Sequence, residues 1–261
     1  MPNNTFSVHV ILHEREETKV SFSAMDTNQY VSFENITDHL GNSVSNGLGI
    51  LVHTLNGGNV QKASPDQNVT SSTTVSVPTS TDSYIRIFAA VYREFDIVFS
   101  NCVKLRRFYA PRHSYWDLSA LEPCTNLQVI DINGHATGDT SSLRELMNLR
   151  AIHVHVTEGI NVNLLDFFQN QAGVAKTSLE EIRFSHDPSN HAKYTSLVFD
   201  TSTIRNLPTA PYSNLIIFNI RGVSKNEPFW GITGEVADLQ RSSNDNFSST
   251  VLFTDMLGDI N

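Results

Sequence analysis

Two histidines, His153 and His155, form the group best suited to chemistry in this sequence. Side chains two residues apart in a β-strand point to one face, with Cα atoms roughly 7 Å apart. The two imidazoles could bind Zn²⁺ or another divalent cation together with Asp131 of a neighbouring strand. No third histidine or cysteine is anchored nearby, so we expect no metal site at this place.

The sequence patterns typical of enzymes do not occur. There is no Gly-x-Ser-x-Gly elbow, no glycine-rich phosphate loop of the Gly-x-x-x-x-Gly-Lys or Gly-x-Gly-x-x-Gly kind, and no cysteine–histidine pair with a plausible base. Glu180 and Glu181 are adjacent, so in a strand they would point to opposite faces and could not work as a paired acid and base. We therefore expect a non-enzymatic protein with no catalytic residue and no cofactor.

The charge balance excludes several kinds of partner. The chain has 18 Lys and Arg residues against 27 Asp and Glu, a net charge of −9, whereas nucleic-acid or anionic-membrane binding needs clustered positive charge. No run of about 18 or more apolar residues, the length that a membrane helix needs, occurs. The first residues lack the basic and apolar regions of a signal peptide, so we expect no export by that route.

Residues 1–82 show the period of β-strands. Polar and apolar residues alternate over residues 6–13 and again over 20–24, on either side of a charged turn, which predicts a hairpin. Asn56-Gly57-Gly58 is a strong turn signal after the apolar residues 47–52. We predict a small β-sandwich-like attachment domain over residues 1–82 and a mainly β fold for the chain.

A pattern of apolar residues repeats along the chain beyond residue 82. Each unit has a leucine, a bulky apolar residue three positions later and another apolar residue two positions after that. The units, the first of them incomplete, begin at Leu105, Leu127, Leu149, Leu179 and Leu215, with intervals of 22, 22, 30 and 36 residues. A unit of this size cannot bury its own apolar face, so neighbouring units must stack around one shared core.

Short return segments are expected between the repeated strands. A second apolar pair follows the strand in the early units, as in Leu143 with Leu146, and predicts a short helical or extended segment. Ser142 and Glu145 have the spacing of a capping box, which would start a helical turn there. We predict an irregular solenoid with short helices or turns over residues 83–245, followed by a cap or docking segment over 246–261.

The two cysteines, Cys102 and Cys124, lie 22 residues apart, each three residues before the leucine of its unit. Adjacent units are close enough for a disulfide in principle. Leu146 continues the same column, and its apolar company favours two buried thiols over a bridge.

The repeat resembles the leucine-rich repeat L-x-x-L-x-L, whose period is 20–29 residues. A second signature, T-G-[D/E]-x-x-x-L, occurs at residues 137–143 and 233–239. It is similar to the GDISSL repeats in leucine-rich proteins of gut Bacteroidales and their bacteriophages, with residues 138–149 as the closest stretch. That resemblance implies a binding or structural role. The asparagine that usually follows the second anchor is missing, so we expect turns held by packing and local hydrogen bonds.

The outward residues of the repeated strands form two columns. In a leucine-rich strand, residues between the anchors point to the solvent on the concave face. The first column contains Tyr109, Asp131, His153, Arg183 and Asn219. The second column contains Asn133, His155 and Arg221. We predict that these residues form a binding surface, since function in repeat proteins usually lies on such a face.

The resemblance to these repeats, together with the expected lack of a signal peptide, implies a bacteriophage virion structural protein, a component of the capsid surface or a tail appendage that displays the repeat face. Its partners would be other virion proteins or further copies of itself, with a host-surface protein or glycan as another candidate. It would be located in the virion, assembled in the host cytoplasm. The alternative is a bacterial cell-surface adhesion module whose signal peptide is missing from this sequence. A glycan hydrolase would need two suitably separated carboxylates, which we could not place.

Overall fold

The computed structural model confirms the predicted mainly β fold. It describes residues 5–24, 29–56, 59–62, 67–78, 80–100, 102–111, 113–132, 135–155, 160–161, 163–185, 197–200, 217–220 and 230–233. The chain divides into two compact units, of which one comprises Met1–Trp116 with Ile132–Gly134 and the other Asp117–Asp131 with His135–Asn261. Leu215 and the expected terminal cap at 246–261 lie outside the described residues.

The first unit is a succession of β-strands. In chain order its elements are β1 (Phe6–Leu12), β2 (Glu17–Phe22), β3 (Gln29–Thr37), β4 (Leu48–Asn56), β5 (Asn59–Lys62), β6 (Gln67–Val69), β7 (Thr73–Val77), β8 (Asp82–Ala89), β9 (Arg93–Ser100), the 3₁₀ helix η1 (Cys102–Lys104), β10 (Arg107–Ala110) and β11 (Ser114–Asp117). These strands show the alternation of buried and exposed residues that their sequence pattern predicts, as in β1 and β8.

Two antiparallel sheets make up the first unit. One has the order β11-β1-β9-β3-β7, and the other has the order β2-β8-β4-β5 with β6 also on β4. The predicted hairpin is wrong, because β1 pairs with β9 through Val8 and Ile97 while β2 pairs with β8 through Val20 and Ile85. Alternation identifies the buried face of a strand, but it does not identify the strand's partner.

The buried faces of these two sheets meet in an aromatic core. Phe22 of β2 and Phe99 of β9 have ring centroids 5.9 Å apart, and Phe6 packs on Phe99 at 5.2 Å. Phe108 and Trp116 extend this cluster with edge-to-face contacts. The architecture is therefore sandwich-like, and it continues beyond residue 82, because β8 fills the middle of one sheet and β9 the middle of the other.

The second unit contains shorter elements. They are η2 (Leu118–Leu121), β12 (Val129–Ile132), β13 (His135–Asp139), η3 (Thr140–Leu143), β14 (Ala151–His155), β15 (Ile160–Asn161), α1 (Leu165–Phe168), β16 (Glu181–Ser185), β17 (Leu197–Asp200), β18 (Ile217–Ile220) and β19 (Trp230–Thr233). η2 and α1 are helical return segments of the predicted kind, whereas η3 ends at Leu143, the first residue of the predicted apolar pair Leu143 and Leu146. None of the helices in the described part of the chain has the length and apolar character to cross a membrane.

Parallel pairing organises the repeated strands. β14 pairs in parallel with β16, and β16 with β18, while β12 lies next to β14. The repeat leucines Leu127, Leu149 and Leu179 are each fully buried. Main-chain hydrogen bonds also join successive repeats, since Arg150 N donates to Gln128 O at 2.8 Å and Glu180 N donates to Arg150 O at 2.8 Å.

Side-chain caps start the short helices. Asp117 accepts from the backbone N–H of Ser119 at 2.8 Å, and Asp139, one repeat later, accepts from that of Ser141 at 2.7 Å. Asn163 Oδ1 accepts from Leu165 N at 3.1 Å, but the N-cap of α1 is Leu164, which makes no side-chain capping bond. These caps satisfy N–H groups that the first turn of a helix leaves without a partner. The capping-box prediction at Ser142 is wrong, because η3 begins at Thr140 and Asp139 is its cap.

The backbone conformation of Gly138 explains why the Thr-Gly-Asp motif has glycine at this position. Its φ is +95°, in the region that residues with a side chain rarely adopt. A Cβ at this position would lie 2.7 Å from Asp117 Oδ1, the oxygen that caps η2 in the preceding repeat. Glycine therefore permits both the turn and the close approach of the two caps.

Candidate functional site

Four ionisable residues line the outer side of the repeated strands in the second unit, and we call them the ladder face. Asp131 lies on β12, His153 on β14, and Glu181 and Arg183 on β16. Their side chains keep 25%, 31%, 21% and 47% of their exposure, respectively. The adjacent residues Ile130, Ile152 and Ile182 point the other way and are fully buried. Alternation along each strand thus separates a polar face from an apolar one.

The ladder face is a row of alternating acidic and basic side chains. His153 Nδ1 is 3.6 Å from Asp131 Oδ2, and its Nε2 is 3.3 Å from Glu181 Oε1. The Glu181 carboxylate also forms an ion pair with Arg183 Nε. Parallel register explains the geometry, because His153 lies directly opposite Arg183 and Arg183 directly opposite Asn219.

The carboxylates change the titration of His153. Hydrogen bonding to Asp131 raises the pKa of the imidazole above its ordinary value, partial burial opposes this shift, and the charge of Glu181 adds to it. Both effects of the carboxylates favour the imidazolium form, which can act as a donor through both ring nitrogens. The ladder face therefore holds a histidine that gains charge more readily than an isolated one.

The other predicted site residues have different positions. Tyr109 lies on β10 in the first unit, where it is partly exposed between the buried residues Phe108 and Ala110. His155 lies opposite Ser185 in the β14–β16 register, and Asn219 lies opposite Arg183 in the β16–β18 register. The side chains of His155 and Asn219 are outside the part of the chain that the structure describes. Asn133 and Arg221 lie outside the described residues.

Glu181 also lies on the ladder face, although it is not among the site residues predicted from the sequence. Its spacing from Arg183, two residues along a strand, places both side chains on one face and is the sequence signal that identifies it. Glu180 instead pairs with Arg150, with Arg150 Nη2 2.8 Å from Glu180 Oε1.

The ladder face suits recognition better than metal binding. Arg183 brings a positive charge to Glu181, so a cation near His153 would meet repulsion. Arg183 is also the most exposed of the four residues and carries guanidinium donors that bind carboxylate or phosphate groups well. The arrangement can bind polar or anionic groups through hydrogen bonds.

A second ionisable cluster is buried in the same unit. Lys176 occupies the position three residues before Leu179, where the earlier units have Cys102, Cys124 and Leu146. Its Nζ is fully buried and donates to the main-chain carbonyls of Leu143 at 2.5 Å and Asp166 at 2.8 Å. The cysteines themselves are buried thiols, as expected.

Asp166 completes the cluster around Lys176. Its buried carboxylate accepts from Thr140 Oγ1 at 2.7 Å and forms an ion pair with Arg144. Burial lowers the pKa of Lys176 to about 7 even though Asp166 and Glu145 favour its charged form. A neutral amine still has two N–H donors, so both carbonyl bonds survive loss of the proton. The cluster therefore joins neighbouring repeats, and both Lys176 and Asp166 are closed to the solvent.

Comparison with known proteins does not assign the chain to a family. No family model matches the sequence, and no curated protein matches it as a relative. The function has to be inferred from the residues themselves.

The first prediction concerns the pKa of His153. We expect NMR titration to place it above that of an isolated histidine, near 6.5, and Asp131→Asn to lower it because the main hydrogen-bonding charge is removed. Glu181→Gln should lower it as well. The matched control Glu180→Gln should leave it unchanged, since Glu180 pairs with Arg150. An equal effect of the two glutamine variants would contradict the geometry.

The second prediction concerns the pH dependence of stability. Between the folded pKa of Lys176, about 7, and its ordinary value of 10.5, the unfolded chain binds a proton that the folded chain does not. Stability should therefore rise with pH across this window, by at most ~1.4 kcal/mol per pH unit. Lys176→Met should remove this slope in urea unfolding.

Lys62→Met provides the control, because Lys62 is exposed. It should keep the slope of the unaltered chain. Parallel pH profiles for the unaltered chain and Lys176→Met would show that the buried amine is not neutralised on folding.

Proposed function

We propose that this chain is a non-enzymatic virion protein of a bacteriophage, in which the second unit is a leucine-rich-repeat-like solenoid that displays the ladder face. One observation carries the recognition part of the proposal. The pairing of β14 with β16, with β12 next to β14, brings Asp131, His153 and Arg183 from separate repeats onto one polar face.

The buried side of the ladder supports the repeat assignment. Leu127, Leu149 and Leu179 are fully buried at equivalent places in successive units. Asx caps recur at Asp117 and Asp139, one repeat apart. A repeat family of this kind uses stacked units for display, with the loops and strand faces varying between members.

The polar side supports a binding role. Arginine is enriched at the residues that dominate binding energy, and charged rows steer a partner toward a fixed register. Arg183 is held by Glu181, which limits its conformations before a partner binds and so lowers the entropy cost of binding. We assign attachment to the particle to the first unit and recognition to the ladder face.

The virion setting depends on the resemblance of residues 138–149 to the repeats of Bacteroidales and their phages. Gly138 and Asp139 in that stretch have defined structural tasks, a left-handed turn and a helix cap. The motif alone is therefore compatible with other repeat proteins, including a cell-surface adhesin. The experiment below separates these two settings.

The third prediction is that the chain co-purifies with virus particles. Quantitative mass spectrometry of density-purified particles from the encoding virus, compared with the host envelope fraction, should find the chain at a fixed ratio to the major capsid protein. Detection in the envelope fraction alone would overturn the virion proposal in favour of the adhesin.

Particles carrying Arg183→Ala test where recognition occurs. They should retain the chain but adsorb to host cells several-fold more weakly, a typical result for loss of one important interface residue. Arg150→Ala is the matched control, because it also breaks one exposed arginine–glutamate pair but lies beside β14 rather than on the ladder face. Equal adsorption by the two variants would contradict recognition by the ladder face.

A further inference from the structure

A group of two histidines and one glutamate lies at one place in the first unit. Ring nitrogens of His13 and His113 and a carboxylate oxygen of Glu16 all lie within 4.8 Å of one another. His113 Nε2 is 3.5 Å from Glu16 Oε1. Ligand atoms around a tetrahedral zinc ion are about 3.4 Å apart, as follows from bonds of 2.0–2.2 Å.

We propose that His13, Glu16 and His113 form a binding site for Zn²⁺ or a similar transition-metal ion, with the remaining coordination position open to solvent. Two imidazoles and one carboxylate are a common ligand set for zinc. Mg²⁺ and Ca²⁺ prefer oxygen ligands, so the two histidines select against them.

The turn between β1 and β2 fixes two of the three ligands. Glu16 N donates to His13 O at 3.1 Å, and Arg15, with φ of +63°, adopts the left-handed conformation of a tight turn. The backbone N–H of His13 donates to Glu16 Oε2 at 2.9 Å. This bond orients the carboxylate and leaves Oε1 toward His113.

The third ligand, His113, directly precedes β11, the strand that pairs with β1. Val10 pairs with Ser114, and Ile11 N donates to His113 O at 2.8 Å. Ser114 is buried, and its hydroxyl donates to the carbonyl of Pro111 at 2.7 Å. His113 is therefore positioned by main-chain pairing, although it is far from His13 in the sequence.

The imidazole rings are further oriented by their neighbours. The rings of His13 and His113 lie 5.2 Å apart at an interplanar angle of 80°, and Tyr92 packs edge-on against His13 at 5.4 Å. Tyr92 is itself hydrogen-bonded to Glu94. Such supporting contacts limit the motion of the ligands before the metal binds.

The site is open to the solvent. About a third of each of the Glu16 and His113 side chains remains exposed, so a metal ion has access from the solvent.

Metal titration of the full, tag-free chain tests the proposal. Calorimetry with ZnCl₂ should show a site that His13→Ala, His113→Ala and Glu16→Gln each weaken by at least about tenfold, the loss that even a supporting residue of a metal site can cause. Zn²⁺ should also raise the thermal unfolding temperature of the unaltered chain but not that of His113→Ala. Mg²⁺ should not compete.

His9→Ala is the matched control. His9 lies on β1 and also faces carboxylates, with Nδ1 2.9 Å from Asp96 Oδ1 and Nε2 3.9 Å from Glu94 Oε2. Because His9 is not a member of the His13, Glu16 and His113 group, its loss should leave zinc affinity unchanged. Absence of zinc binding, or equal weakening by His9→Ala and His113→Ala, would overturn the proposal. Glu16→Gln preserves the shape of the turn and so covers the case in which an alanine variant fails to fold.

Discussion

The second unit depends on stacking, because none of its strands can bury an apolar side without the strand of the next repeat. The leucines at 127, 149 and 179 are each fully buried, and main-chain hydrogen bonds from Arg150 to Gln128 and from Glu180 to Arg150 join one repeated strand to the next. The same stacking sets the outer surface. Once the leucines are aligned inside, parallel register must align His153 with Arg183 outside, so the core and the ladder face are two consequences of one constraint.

Local hydrogen bonds hold the turns of the second unit. Asp117 and Asp139 cap the short helices η2 and η3, and Asn163 accepts a bond from Leu165 N near the start of α1. Gly138 lets successive caps approach closely. Lys176 plays a related part in a later repeat, where its amine binds main-chain carbonyls at a position that is apolar in earlier repeats. The irregular spacing of the repeats is thus accommodated by polar contacts specific to each turn.

Sequence periodicity predicted the mainly β fold, the positions of the return segments and most of the described ladder face, including Asp131, His153 and Arg183. These features depend on residues close in the chain. The pairing of strands depends instead on residues far apart in the chain. The predicted hairpin of β1 and β2 is wrong for this reason, since β1 pairs with β9 and β2 with β8. His13 and His113 could not be connected from the sequence for the same reason, since their proximity arises from the pairing of β1 with β11.

Cysteine cross-linking measures the stacking register most directly. The Cα atoms of directly opposite residues in a parallel pair are about 4.8 Å apart, within the range for a disulfide. The Cα atoms of residues displaced by two positions are more than about 7 Å apart, which is too far. The double variant His153→Cys with Arg183→Cys should therefore oxidise to an intramolecular disulfide, and His153→Cys with Glu181→Cys should remain reduced. Preferential cross-linking of the second pair, or equal cross-linking of both, would contradict the stacked arrangement and the ladder face with it.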